Sequence, residues 1–185
     1  MRPTRLDTRS TILTSASSVL AANPGASMTE IATAAGVGRA TLHRLFASRA
    51  DLVRELALES MRACDEATAG IEARVSTATE ALHEVVEALV PLGDRFHYLA
   101  SMPEVYSDDD VAREYKRQQK ELSELVDAVK AEGGIDPSIP TAWVVAVFDA
   151  LIYAAWNAVD SGELARNDAP EHVRKTLMHG LARRP

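Results

Sequence analysis

Residues 27–46 read SMTEIATAAGVGRATLHRLF, and this stretch decides the fold. Ser27-Met28-Thr29-Glu30 is a capping box: the Ser27 hydroxyl accepts from the Glu30 amide while the Glu30 carboxylate reaches back to the Ser27 amide. It opens a short helix that Gly36 ends, because glycine enters the left-handed region without penalty. A second short helix runs from Arg39 to Leu45. A helix-turn-helix needs a tight turn between two short helices and a small residue at their crossing. Gly36 meets the first need and Ala32 the second. Ile31, Ala35, Val37, Leu42 and Leu45 fall where such a unit must be apolar to pack. An ordinary helical hairpin is the alternative.

Working outward, every readable segment is helical. Upstream, Thr8 to Ala22 carries Ile12, Leu13, Ala16, Val19 and Leu20 on one face and ends at Asn23-Pro24-Gly25. Downstream, Ser48 can cap a long fourth helix with Asp51 in its positive first turn. Thr77 to Glu80 is a second capping box, opening a helix with Leu82, Val85, Val86 and Leu89 that ends at Pro91. A short piece spans Asp94 to Met102. Asp108-Asp109-Asp110 opens a helix closed by Gly133-Gly134. Three acids there complement the macrodipole, which outweighs a metal-site reading. Ala142 to Val159 is apolar nearly all round, with alanines four apart at Ala142, Ala146, Ala150, Ala154 and Ala158. A membrane span is the alternative, but Asp149 lies mid-span and the stretch is short. A last helix runs from Pro170 through Val173, Leu177 and Leu181. The fold class is therefore all-α: a three-helix head with a helix-turn-helix at 1–47, followed by a larger helical body at 48–185.

Composition agrees. Alanine is the commonest of the 185 residues, at 31, against 17 Gly and Pro together, which favours helix. One cysteine excludes a disulfide framework and any zinc site built on paired cysteines. The net charge of −7 conceals a division: residues 1–50 hold six arginines and two acids, so the remainder carries −11. Only the head suits an anionic partner. The N-terminus shows no long apolar segment of a secretory signal, so a cytoplasmic location is expected. No Ser/His/Asp order, HExxH or phosphate-cradling glycine loop accompanies the five histidines, so no catalytic residue, metal or cofactor is expected.

The outward positions of the Arg39–Leu45 helix suit a major groove. Arg39 can fork onto guanine, the Thr41 methyl can meet a thymine methyl, and His43, Arg44 and Arg49 suit phosphates. Ser27, Thr29, Gly38 and Ala40 complete the candidate DNA surface. Arg2 and Arg5 are either a minor-groove arm or a tail.

These residues, and IATAAGVGRATLHRLFASRADL in particular, resemble the N-terminal domain of the tetracycline-repressor-like (TetR) family of transcriptional regulators. The resemblance covers about Ile12 to Leu56. His43 stands where the family usually has tyrosine, Gly38 replaces a serine cap, Arg49 replaces lysine, and Leu20 stands where an aromatic is common. The resemblance implies a homodimeric repressor whose heads bind a palindromic double-stranded operator and whose body binds a small apolar or amphipathic molecule that releases DNA. A helical adaptor without DNA binding and a small helical enzyme are the rival readings. Eight of nine aromatics lie between Phe96 and Trp156, so the body can line a ligand cavity. The expected pocket residues are Met61, Leu89, Phe96, Leu99, Met102, Trp143, Phe148, Asp149, Ile152 and Trp156. As a lone carboxylate on an apolar helix, Asp149 needs a partner: a ligand cation, a hydroxyl, or an arginine such as Arg95. The last two long helices resemble the family's dimerisation pair, with Ala146, Ala150, Ala154, Ala158, Val173, Leu177 and Leu181 in the seam.

Overall fold

A computed structural model describes residues 5–93 and 102–181; the side chains of residues 5–7, 103, 104 and 181 are not described. The described elements, in chain order, are α1 (Arg5–Ala22), α2 (Met28–Ala34), α3 (Arg39–Leu45), α4 (Arg49–Thr68) and α5 (Ala78–Leu89). Two 3₁₀ turns follow, Val90–Leu92 and Pro103–Ser107, then α6 (Asp109–Ala131), α7 (Thr141–Asp160) and α8 (Ala169–Leu181). No strand occurs among the described residues. The short piece expected at 94–102, with Phe96 and Leu99, lies outside them apart from Met102, as do Arg2 and the position of Arg95.

Each cap forms where its residues dictate. Ser27 Oγ accepts from the Glu30 amide at 3.3 Å, and Glu30 Oε2 accepts from the Ser27 amide at 2.7 Å. Ser48 and Asp51 exchange the same pair of bonds at the start of α4, each at 3.0 Å. Thr77 and Glu80 cap α5 in the same way. Asp108 Oδ1 accepts from the amides of Asp110 and Val111 at 3.0 and 3.1 Å, making Asp108 the cap of α6.

The chain forms two compact units. One comprises the chain up to Arg62 and a second segment ending at Arg113; the other comprises Ala63–Gly93 and the chain from Glu114 on. The first unit therefore runs past residue 48, the boundary expected from the change in helix length. Leu52, Val53, Leu56, Ala57 and Met61 of α4 are buried in the same core as Ile12, Leu20, Ile31, Leu42 and Phe46. An amphipathic helix is assigned by the face it buries, and that face continues well into α4.

The second core joins Leu82 and Val86 of α5, Val126 and Val129 of α6, Val144, Val145, Phe148 and Ile152 of α7, and Val173 and Leu177 of α8. By length and composition α7 could cross a membrane, with a mean hydropathy of 1.6. Its Val144–Val145–Phe148–Ile152–Ala155 face is instead buried in this core. The indole of Trp156 donates to the Val90 carbonyl at 2.9 Å and lies against Gly93. A Cβ placed on Gly93 would come 2.2 Å from Trp156 Cδ1. The backbone there is helical, so the glycine is required by the close approach and not by its torsions. Gly93→Ala should cost about 1–3 kcal/mol by overpacking. Thermal unfolding followed by circular dichroism should then show a midpoint roughly 2–10 °C lower. An unchanged midpoint would mean that the indole rotates away freely.

Candidate functional site

The turn between α2 and α3 sets the head's outer surface. Gly36 has φ +64°, and the bonds around it close a Schellman motif: Gly36 N–H donates to Thr33 O at 3.1 Å, and Val37 N–H to Ala32 O at 3.0 Å. Gly38 is the α3 N-cap with extended backbone and no side-chain cap bond, as expected from the missing serine. Leu42 and Phe46 are fully buried, which fixes the rotation of α3. Arg39, Ala40, His43 and Arg44 therefore point to solvent, with Thr41 half-buried beside them. Thr29 and Ser27, at the start of α2, are also exposed. Six of the nine candidate DNA residues, Ser27, Thr29, Arg39, Thr41, His43 and Arg44, thus lie along one short two-helix segment, joined by Gly38 and Ala40, which carry no polar side chain.

Arg49 departs from its expected part. Its Nε donates to Ala26 O at 3.3 Å, and its Nη2 donates to Pro24 O. The guanidinium braces the α1–α2 loop because that loop leaves carbonyls without intrahelical partners. It is therefore not a free phosphate arm.

Of the ten expected pocket residues, Phe96 and Leu99 lie outside the described residues. Met61 and Met102 belong to the core of the first unit. Leu89, Phe148, Ile152 and Trp156 belong to that of the second. Trp143 is 60% exposed, which corrects its assignment to a pocket wall. Its neighbours Val144 and Val145 take the buried face, and one residue of helix rotation turns Trp143 outward. It stands beside Ala142, Ala146, Ala150, Tyr153 and Ala154, all exposed, with Ala158 half-buried. Val173 and Leu177, expected in a dimer seam, are 3% and 1% exposed. They pack inward with α5 and α7, because this is the only apolar face an otherwise charged helix has to bury. Leu181 lies at the end of α8, and its side chain is not described.

Asp149 finds a partner that spacing alone does not suggest. Gln119 of α6 donates an amide N–H to Asp149 Oδ2 at 3.0 Å. Solvent reaches the residue, yet enough protein crowds its carboxyl that partial desolvation raises its pKa above the usual carboxylate range. Among the described residues no Lys, Arg or His forms an ion pair with it. Burial, and then the nearby Asp149 charge, also raise the Tyr115 hydroxyl. Cys64 is pushed up to about 12 by burial, with Asp65 and Asp149 adding to it, so its thiol stays protonated and inert. Asp149, Gln119, Tyr115 and Cys64 thus assemble from α7, α6 and α4 within the second unit. Gln119 and Tyr115 carried no signal in the sequence; they are polar and aromatic positions on an amphipathic helix like several others.

Residues 12–56 match the family model described as bacterial regulatory proteins, tetR family. The chain is also 30% identical over 178 residues to the HTH-type transcriptional repressor LfrR of Mycolicibacterium smegmatis, covering 96% of this chain and 92% of that one. The chain belongs to the TetR family. Its matched segment runs from α1 into α4, the helices that build the helix-turn-helix. It is a helix-turn-helix transcriptional regulator and not an enzyme. The crystal structure of LfrR from Mycobacterium smegmatis in complex with proflavine matches with a TM-score of 0.79 at 29% identity, over 96% of this chain and 97% of that one. AibR in complex with isovaleryl coenzyme A and operator DNA matches with a TM-score of 0.78 over 92% and 98% of the two chains. At 15% identity, that likeness shows the shared TetR fold alone.

Proposed function

We propose that this TetR-family chain is a cytoplasmic homodimeric repressor that grips a palindromic operator through Arg39, Thr41, His43 and Arg44, and releases it when a small cationic amphipathic molecule binds the body. The observation that carries the ligand class is Asp149. A carboxylate whose charge is partly desolvated, and which among the described residues is held by the neutral amide of Gln119, gains most from a cation. The LfrR relative binds proflavine, a planar cationic dye, which supports that class. The exposed strip of Trp143, Ala146, Ala150, Tyr153 and Ala154 supports the dimer. Small residues let two helices approach closely, and the aromatics supply contact area. A palindromic operator offers such a dimer two half-sites about 34–36 Å apart, one duplex turn.

The test begins with a duplex selected by the protein from a random-sequence pool. Proflavine should then displace the protein from it. Asp149→Asn should weaken proflavine binding while leaving operator affinity without dye unchanged. The same variant should be more stable than wild type without ligand at neutral pH. The folded-state pKa of Asp149 is raised, so its ionisation opposes folding: the penalty is absent below the unfolded pKa and complete above the folded one. The gain should vanish as pH falls below the ordinary aspartate range. Proflavine titration and melting curves at two pH values check both, and equal dye affinity in the two proteins would remove Asp149 from the site.

A further inference from the structure

Within the second unit, α5 is fastened at both ends. At its start, Glu132 accepts from the Ala78 and Thr79 amides at 2.7 and 3.0 Å. At its end, the Trp156 indole holds the Val90 carbonyl. α8 packs against α5 and is held differently. Its ion pair, Lys175 with Glu171 at 2.6 Å, stays within the helix, while Val173 and Leu177 join it to the second core. His83 of α5 is half-buried, and its Nε2 is fully enclosed with no hydrogen-bond partner among the described residues. A neutral imidazole can keep its proton on Nδ1 and leave Nε2 as a bare acceptor. An imidazolium carries N–H on both nitrogens, so Nε2–H would point into protein that offers it no acceptor. Leaving a charged donor unmet costs more than leaving a neutral acceptor unmet. Burial, and then Arg174 of α8, hold the His83 pKa below the ordinary histidine value, against the opposite pull of Glu80 and Glu87 on its own helix. These are the charged groups that act on the ring.

We propose that His83 is a proton switch in the packing of α8 on α5: the neutral imidazole fits the closed arrangement, and protonation opens α8 away from α5. α8 is the element that yields, because α5 is tied at both ends while α8 rests on apolar side chains. His172 and His179, on α8 itself, are exposed and can charge without losing a partner. The closed state loses stability in one direction only. Its imidazole has the lower pKa, so the packing is complete above the ordinary histidine value and weakens as pH falls through that value toward the closed-state one. Protons thereby become a signal that the body reads apart from Asp149, whose partner Gln119 lies on α6.

Hydrogen exchange of the α8 amides in the full-length protein, corrected for the intrinsic effect of pH, tests the switch. Between about pH 7.5 and about pH 5, on either side of the ordinary histidine value, opening of α8 should rise relative to α7 by at least about fivefold, the lower end of what an unmet buried hydrogen bond costs. His83→Leu should abolish the rise. His83→Gln, which keeps a polar group but takes no charge, should do the same and serves if the leucine variant fails to fold. Arg174→Gln should shrink the rise, because the closed imidazole is then easier to protonate. That dependence on a neighbouring charge separates a titrating switch from a merely structural histidine. Wild-type α8 amides that keep their protection while the His83 ring signal titrates in NMR spectra, or a rise that persists in the His83 variants, overturn the proposal.

Discussion

Ala150→Glu should yield a monomer that scarcely holds the operator. Ala150 is exposed in the protomer, on the strip that includes Trp143, Ala146 and Ala154, so the substitution leaves both cores and the helix content intact. In a symmetric seam each change appears twice, and two carboxylates would face one another in an apolar contact. A desolvated, unpaired charge costs several kcal/mol each, comparable to what holds a modest dimer together. A single head reads only half a palindrome. Operator affinity should therefore fall toward the non-specific level, a loss of about 10³-fold or more. Light scattering gives the mass and a gel shift the affinity. A dimer of unchanged mass would move the interface off α7. Trp143→Ala should weaken the dimer without abolishing it, as expected of a large aromatic anchor.

Arg39→Ala and Arg44→Ala should each weaken operator binding, but with different signatures. Arg39 is at the first position of α3, exposed and free of the packing that holds Leu42. A bidentate contact to guanine discriminates by about 1–3 kcal/mol, and a dimer makes it twice, so Arg39→Ala should cost roughly 30-fold at the low end. It should also relax base preference at one position in each half-site. Arg44, a turn further on and exposed, suits a phosphate. Losing it should weaken all duplexes alike and reduce the slope of log affinity against log salt by about 2 per dimer. Anisotropy titrations at several salt concentrations separate the two. Equal affinities in all three proteins would remove α3 from the interface.

The helix-turn-helix was legible because its signals are local. Ser27 and Glu30 lie three apart, Gly36 needs only its own torsion, and Leu42 announces the buried side of α3 by its place in the helical period. The body was legible in outline only. Its helices could be drawn from caps and stops, yet the buried face of α7 could not be picked from a helix apolar all round. Nothing in the sequence tells that Trp143 faces solvent while Val173 and Leu177 are core.

The chain order alone determines eight helices among the described residues, their caps, a basic head, and the outward set Arg39, His43 and Arg44, because caps, turns and helical period act over a few residues. Tertiary packing alone decides that Gln119 meets Asp149, that Arg49 is spent on loop carbonyls, and that Arg54 holds the start of α6. These contacts join residues distant in the chain, and many polar side chains on amphipathic helices offer the same local chemistry. Only the way the helices pack chooses which of them meet.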